Sequence, residues 1–188
     1  MSLMPTPLTN QLLIALPALA DGNFARSVTL VCQHDDDGAM GIMVNKPSEY
    51  TLGDVLGQMG LEAHDPTMAA QIVLAGGPVH PERGFVLHDG GMRWDSSLQV
   101  SDTLFLTTSR DILEAMAKGE GPAHAIVALG CAGWGQGQLE SEITENSWLT
   151  VEADPSVIFD APVAERYERA MALLGLQPWM LSPDAGHA

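Results

Sequence analysis

The chain has 188 residues, 46% of them apolar, and carries eight Lys and Arg against 24 Asp and Glu, for a formal charge of −16. At this length roughly 70% of the unfolded chain's surface can be buried, so a single domain is expected, spanning 8–176 with tails at 1–7 and 177–188. So acidic a chain repels polyanions, and a DNA site takes about 6–10 phosphate contacts, whereas only eight cationic side chains are present, scattered from Arg26 to Arg169.

Leu12 to Leu16 and Ser27 to Gln33 read as strands, the second rich in Val, Thr and Leu. Asp35-Asp36-Asp37-Gly38 supplies a turn and Ala39 to Asn45 runs back, which predicts a hairpin. Thr51 with Asp54 resembles a capping box, and Leu52, Val55, Leu56 and Met59 then form one helical stripe closed by Gly60. Short strands follow at Ile72 to Ala75, Gly84 to His88 and Thr103 to Thr107. Ser109 is expected to cap a helix that turns Ile112, Leu113 and Met116 inward and stops at Gly119. Ala125 to Gly130 is the most apolar strand and leads into a glycine-rich loop, Gly130 to Gly137, with a short helix after it to Asn146. Trp148 to Val151 and Val157 to Phe159 read as strands, and a last helix runs from about Pro162 to Leu174. Hairpins mixed with single helices indicate an α+β domain with a mixed sheet, not a doubly wound one.

Cys32 and Cys131 lie far apart with no CxxC, which fits neither a zinc ribbon nor a disulfide scaffold and suits a reducing cytoplasm. The run Leu12 to Leu16 is too short to span a bilayer, and no Lys or Arg precedes Arg26 to form a signal n-region. A cytoplasmic location without membrane attachment is expected. Several blocks in order then carry a family resemblance: Leu13-Ile14-Ala15-Leu16-Pro17, Phe24-Ala25-Arg26-Ser27-Val28, Gly41-Ile42-Met43-Val44-Asn45-Lys46-Pro47, Gly76-Gly77-Pro78-Val79, Gly84-Phe85-Val86-Leu87-His88, and Gly133 to Glu142 followed by Asn146-Ser147-Trp148-Leu149. The chain resembles the AlgH/YqgE family of bacterial proteins. The resemblance implies one α/β domain whose branched mixed sheet curls into a pseudo-barrel with flanking helices. It brings the label of a transcriptional regulator for some members and no assigned catalytic residues. Cys131 departs from it, standing where relatives often carry tyrosine.

Four glycines around one tryptophan, in Gly130 to Gly137, make a loop able to approach a ligand closely. It follows a strand and precedes a helix, the setting of an anion site, but G-x-x-x-x-G-K-[ST] is absent and G-x-G-x-x-G fails at Gln138. Trp134, flanked by glycines, is expected at the surface. With Gly135, Gln138, Asn45 and the Gly76-Gly77-Pro78 turn it forms the candidate ligand or partner site. Trp148 and Cys32 read as core.

Candidate catalytic groups are Cys131 at the head of the loop, Glu142, which shares a helix face with Glu145, and His88 at a strand end, read as an edge residue. His80-Pro81-Glu82 lacks the P-C-x-x-C of a deaminase, and Asp35-Asp36-Asp37-Gly38 lacks the spaced oxygens of a calcium loop. No metal and no cofactor are expected. Two functions remain. One is a non-enzymatic binding or regulatory module acting through a protein partner or small ligand. The other is a small hydrolase or thiol enzyme with its site near Gly130 to Gly137.

Overall fold

Strands and helices interleave along the residues that the computed structural model describes, 8–16, 25–90 and 93–175. The strands are β1 (Gln11–Ala15), β2 (Val28–Asp35), β3 (Gly38–Met43), β4 (Pro47–Thr51), β5 (Ile72–Ala75), β6 (Val79–His88), β7 (Ser97–Gln99), β8 (Phe105–Thr107), β9 (Ala125–Trp134) and β10 (Trp148–Glu152). The helices are α1 (Leu52–Gln58), α2 (Pro66–Ala69), α3 (Arg110–Ala117), α4 (Gln138–Thr144), α5 (Pro155–Phe159) and α6 (Arg166–Leu173), the last entered through a 3-10 turn at Val163–Glu165.

The sheet is a single α+β assembly in the order β10-β1-β2-β3-β9-β6-β8-β7, and β5 with β4 branches off at β9. β9 is the trunk. Its first part pairs antiparallel with β6 and, at Ala128 and Leu129, parallel with β5; its end, Ala132 to Trp134, pairs antiparallel with β3. The change of partner falls at Gly130, whose φ is +79. Gly76 and Gly77 leave β5 here, and their backbone lies directly on that of Gly130 and Cys131. A Cβ on Gly77 would sit 2.2 Å from the Cys131 carbonyl carbon, and one on Gly130 2.4 Å from the Gly77 oxygen. Only glycine has neither the φ penalty nor the Cβ, so the branch exists because these three residues are glycines.

Alternation along the strands gives the sheet two apolar faces. Leu12, Ile14, Leu30, Ile42, Phe85, Leu87, Leu106 and Ala128 point into the curl, which α5 and α6 close with Val157, Ile158, Ala170 and Met171. On the outer face, α1 and α3 bury Leu52, Leu56, Ile112 and Met116 against Val73, Val86 and Val127. Leu139 of α4 meets Leu13, Ala15, Val31, Trp134 and Trp148 further along that face.

The sequence expectations hold for most elements, and the exceptions have local causes. The capping box at Thr51 and Asp54 forms with both reciprocal hydrogen bonds. Val157 to Phe159, expected as a strand, is helical instead: Asp154 accepts from the Ser156 amide and Pro155 opens the helix, and these start signals outweigh three strand-prone residues. Ser109 begins α3 without capping it, because its hydroxyl donates to Asp111. β4, α2 and β7 are too short to leave a period in the sequence. The expected tails at 1–7 and 177–188 lie outside the described residues.

Candidate functional site

The supposed loop from Gly130 is strand as far as Trp134, and this changes the standing of the residues on it. Trp134 is 6% exposed and packs edge-on against Trp148, with ring centroids 6.2 Å apart, so it does not reach the surface as expected. Pairing of Ala132 to Trp134 with β3 pins the chain flat and turns the indole under α4. Its Nε1 donates to Glu142 Oε1 at 3.1 Å, and Trp148 Nε1 donates to the same oxygen at 2.9 Å. Gln138 Nε2 donates to Glu142 Oε2 at 2.9 Å, while Gln138 Oε1 accepts from the Gly135 amide. Trp134, Gly135, Gln138 and Glu142 therefore do meet, as a closed hydrogen-bonded knot. Glu145 is exposed at the C-terminal end of α4 and shares nothing with it.

Glu140 bonds His34 Nε2 at 2.9 Å. His34 Nδ1 accepts from the Leu8 amide, which assigns the imidazole proton to Nε2 and makes Glu140 the acceptor.

Cys131 is buried on the inner face, where burial raises its thiol above the ordinary value, against a smaller lowering by the Arg83 charge. A protonated buried thiol is a poor nucleophile. Gly76 and Gly77 are the backbone wedge of the branch. Asn45 lies elsewhere, at the β2 and β3 ends. Its Oδ1 accepts from Val28 N at 2.8 Å and its Nδ2 donates to Arg26 O at 2.9 Å.

His88 is not an edge residue. It is 1% exposed and stacks on Phe105. Nδ1 lies 2.6 Å from the Asp89 carbonyl, which only accepts, so Nδ1 carries the proton and Nε2 accepts from the Thr107 hydroxyl at 2.6 Å. Thr107 in turn accepts from Ser97 Oγ at 2.6 Å. Hydroxyl, imidazole and carbonyl are thus aligned as a nucleophile–base–orienter series. Yet Thr107 is 0% exposed, and burial lowers the His88 pKa, which works against an imidazolium. Among the described residues no group of three or more His, Cys, Asp or Glu could hold a metal ion.

A space that a ligand can enter lies elsewhere among the described residues, between α1 and α3 on the outer face, in a cleft of about 760 Å³. Val55, Met59, Val86, Leu113 and Leu129 form its apolar side. Tyr50, Gln58, Arg83 and Arg110 line its exposed side, with Asp54 and Glu82. Tyr50 is 48% exposed. Arg110 Nη2 donates to the Met59 carbonyl, which ties α3 to the end of α1, and the Arg83 guanidinium lies over the Phe85 ring. None of the candidate site residues read from the sequence, Asn45, Gly76, Gly77, His88, Cys131, Trp134, Gly135, Gln138 and Glu142, lines this cleft.

A family model described as AlgH-like, DUF179, matches residues 12–179. The chain belongs to the AlgH-like family. A UPF0301 protein of Xanthomonas campestris and one of Xanthomonas euvesicatoria are each 61% identical to it over 188 residues, covering all of both chains. The solution structure of the AlgH protein from Pseudomonas aeruginosa, also UPF0301, matches with 44% identity, a TM-score of 0.80 and full coverage of both chains. A crystal structure of protein DIP2367 from Corynebacterium diphtheriae shares the fold at 21% identity and a TM-score of 0.71, covering 91% of this chain and 88% of that one. None of these names states an activity.

The cleft of this AlgH-like chain left one faint sequence signal. His80-Pro81-Glu82-Arg83 interrupts β6 as an exposed bulge, with a register shift between Val79 and Gly84 and a φ of +48 at His80. A proline and three polar residues inside a strand mark such a bulge, and bulges re-aim side chains beside sites.

Proposed function

We propose that this AlgH-like protein is a non-enzymatic binding module whose ligand, a small molecule or a short segment of a protein partner, occupies the cleft between α1 and α3. The observation that carries the reading is the shape and chemistry of that cleft. It is about 760 Å³, within the size range of ligand sites, with an apolar side for affinity and a few polar groups for orientation. If the regulator label of some relatives extends to this chain, its action on transcription runs through that ligand or partner. A hydrolase or thiol enzyme has less support, since the Cys131 thiol, the Thr107 hydroxyl and the Glu142 carboxylate are all buried or engaged.

A thermal-shift screen of metabolites and peptides tests the proposal. A binder at 100 times its dissociation constant raises stability by about 2.7 kcal/mol. Tyr50→Ala and Arg83→Gln, both at exposed positions, should weaken a true cleft ligand at least tenfold with the apo melting point little changed. A ligand that binds both variants as tightly as the parent would place its site elsewhere and overturn the reading.

A further inference from the structure

Cations are scarce in this chain, eight against 24 carboxylates, so each should find an acidic neighbour. Arg110 and Arg169 do, through Glu114 and Glu165 one helical turn away. Among the described residues none of the other six does, and three of these six share one corner of the fold. Arg26, Lys46 and Arg166 converge on the strand end Val44-Asn45-Lys46, and among the described residues no carboxylate lies within ion-pair distance of any of them.

The convergence is built from specific contacts. Arg166 is 5% exposed and donates through Nη1 to the Val44 carbonyl at 2.6 Å and through Nε to the Ala161 carbonyl. Asn45 clamps the backbone on both sides of Ser27, and Arg26 is held at a φ of +55, rare for an arginine. The Arg26 guanidinium then lies over the Tyr167 ring, 4.6 Å from its centroid. Lys46 Nζ donates to the Ala25 carbonyl at 2.6 Å. Burial and the nearby Arg26 charge both lower the Lys46 pKa, so the two cations feel one another. Carbonyl oxygens satisfy some of the donors but supply no countercharge. Like charges are here brought together at a conformational cost, in a protein with acid to spare. An anion supplied from outside resolves that repulsion and accepts from the donors the carbonyls leave over.

We propose that the corner formed by Arg26, Lys46 and Arg166 binds a small ligand through a carboxylate or phosphate group. The site is separate from the cleft between α1 and α3 and does not depend on it. Arg26, exposed, and Lys46, half-buried, contact the anion. Arg166, buried behind them, acts by charge.

Titration of the isotope-labelled full-length protein with inorganic phosphate and, in parallel, with succinate tests this by amide chemical shifts, at constant ionic strength held with sodium chloride. Saturable shifts at Arg26, Val28, Asn45 and Lys46 are expected, with the tighter of the two titrants identifying the preferred head group. Arg26→Gln and Lys46→Gln should each weaken binding at least tenfold, while Arg169→Gln, whose partner is Glu165, leaves it unchanged. Spectra of both variants report whether the fold persists, and the two together guard against loss of the Tyr167 stack alone. Shifts that never saturate, that appear equally with chloride, or that survive in Arg26→Gln and Lys46→Gln would overturn the proposal. Shifts confined to Tyr50, Arg83 and Arg110 would do the same while leaving the cleft reading intact.

Discussion

Glu142 shows how far the role of a side chain depends on its neighbours. On the sequence it is one of three acids on a short helix. In the fold its carboxylate accepts from two indoles and one amide, leaving little capacity for a substrate or metal. Glu142→Ala removes the acceptor of two buried N–H groups, and each such loss costs about 1–3 kcal/mol. The melting point should drop by at least about 4 °C, given 2–4 °C per kcal/mol at this size; Glu142→Gln, which keeps one oxygen, should lose less. An unchanged midpoint for the alanine variant in calorimetry would show that the knot is not structural. His88 gives a second outcome. Burial lowers its folded pKa below that of the unfolded chain, near 6.5. The stability it contributes is therefore full above about pH 6.5 and is lost as pH falls from there through the lower folded value. Denaturant midpoints measured down that range should fall less steeply for His88→Asn than for the parent, and equal slopes would count against the assignment.

Among the elements, β9 decides most. Its residues from Ala125 to Gly130 announce a buried strand, yet its last four continue through Gly133 because β3 offers a pairing edge. Propensity alone ends the strand at Gly130; tertiary pairing carries it on. Two glycines with nearly the same backbone angle test this account. Gly130 (φ +79) faces the Gly77 carbonyl, whereas Gly137 (φ +71) has no atom near its would-be Cβ. Gly137→Ala should cost about 1–2 kcal/mol of left-handed strain. Gly130→Ala adds a backbone collision at the branch and should leave little soluble folded protein. Comparable melting points for the two would mean that the branch relaxes more easily than its close packing indicates.

For the whole molecule, charge and its placement bear on the regulator label. The eight cations do not line one groove: Arg83 and Arg110 flank the cleft, Arg26, Lys46 and Arg166 share one corner, Arg169 pairs on α6, Lys118 ends α3 and Arg93 stands exposed between β6 and β7. Neither group reaches the 6–10 phosphate contacts of a typical duplex site. Mobility-shift assays at physiological salt should therefore show no sequence-specific duplex binding. A retarded band with a steep salt dependence would sink the indirect route. None of the described helices is long and apolar enough to cross a membrane.

Composition, charge and periodicity determined the class, the α+β mixture, the hairpin at Asp35 to Gly38 and the inward faces of α1 and α3, since each follows from contacts within a few residues. Short elements such as β4 and β7 escaped because three to five residues carry no period. The α1–α3 cleft escaped because its lining comes from separate stretches, at Tyr50 to Met59, Pro81 to Val86 and Thr107 to Leu113 with Leu129, none of which bears a ligand-binding motif. Trp134 was misplaced for the same reason: glycine neighbours give the chain freedom, but only the β3 edge and the Glu142 carboxylate determine where that freedom ends. Burial and encounter are properties of distant segments meeting, and a local pattern does not encode which ones meet.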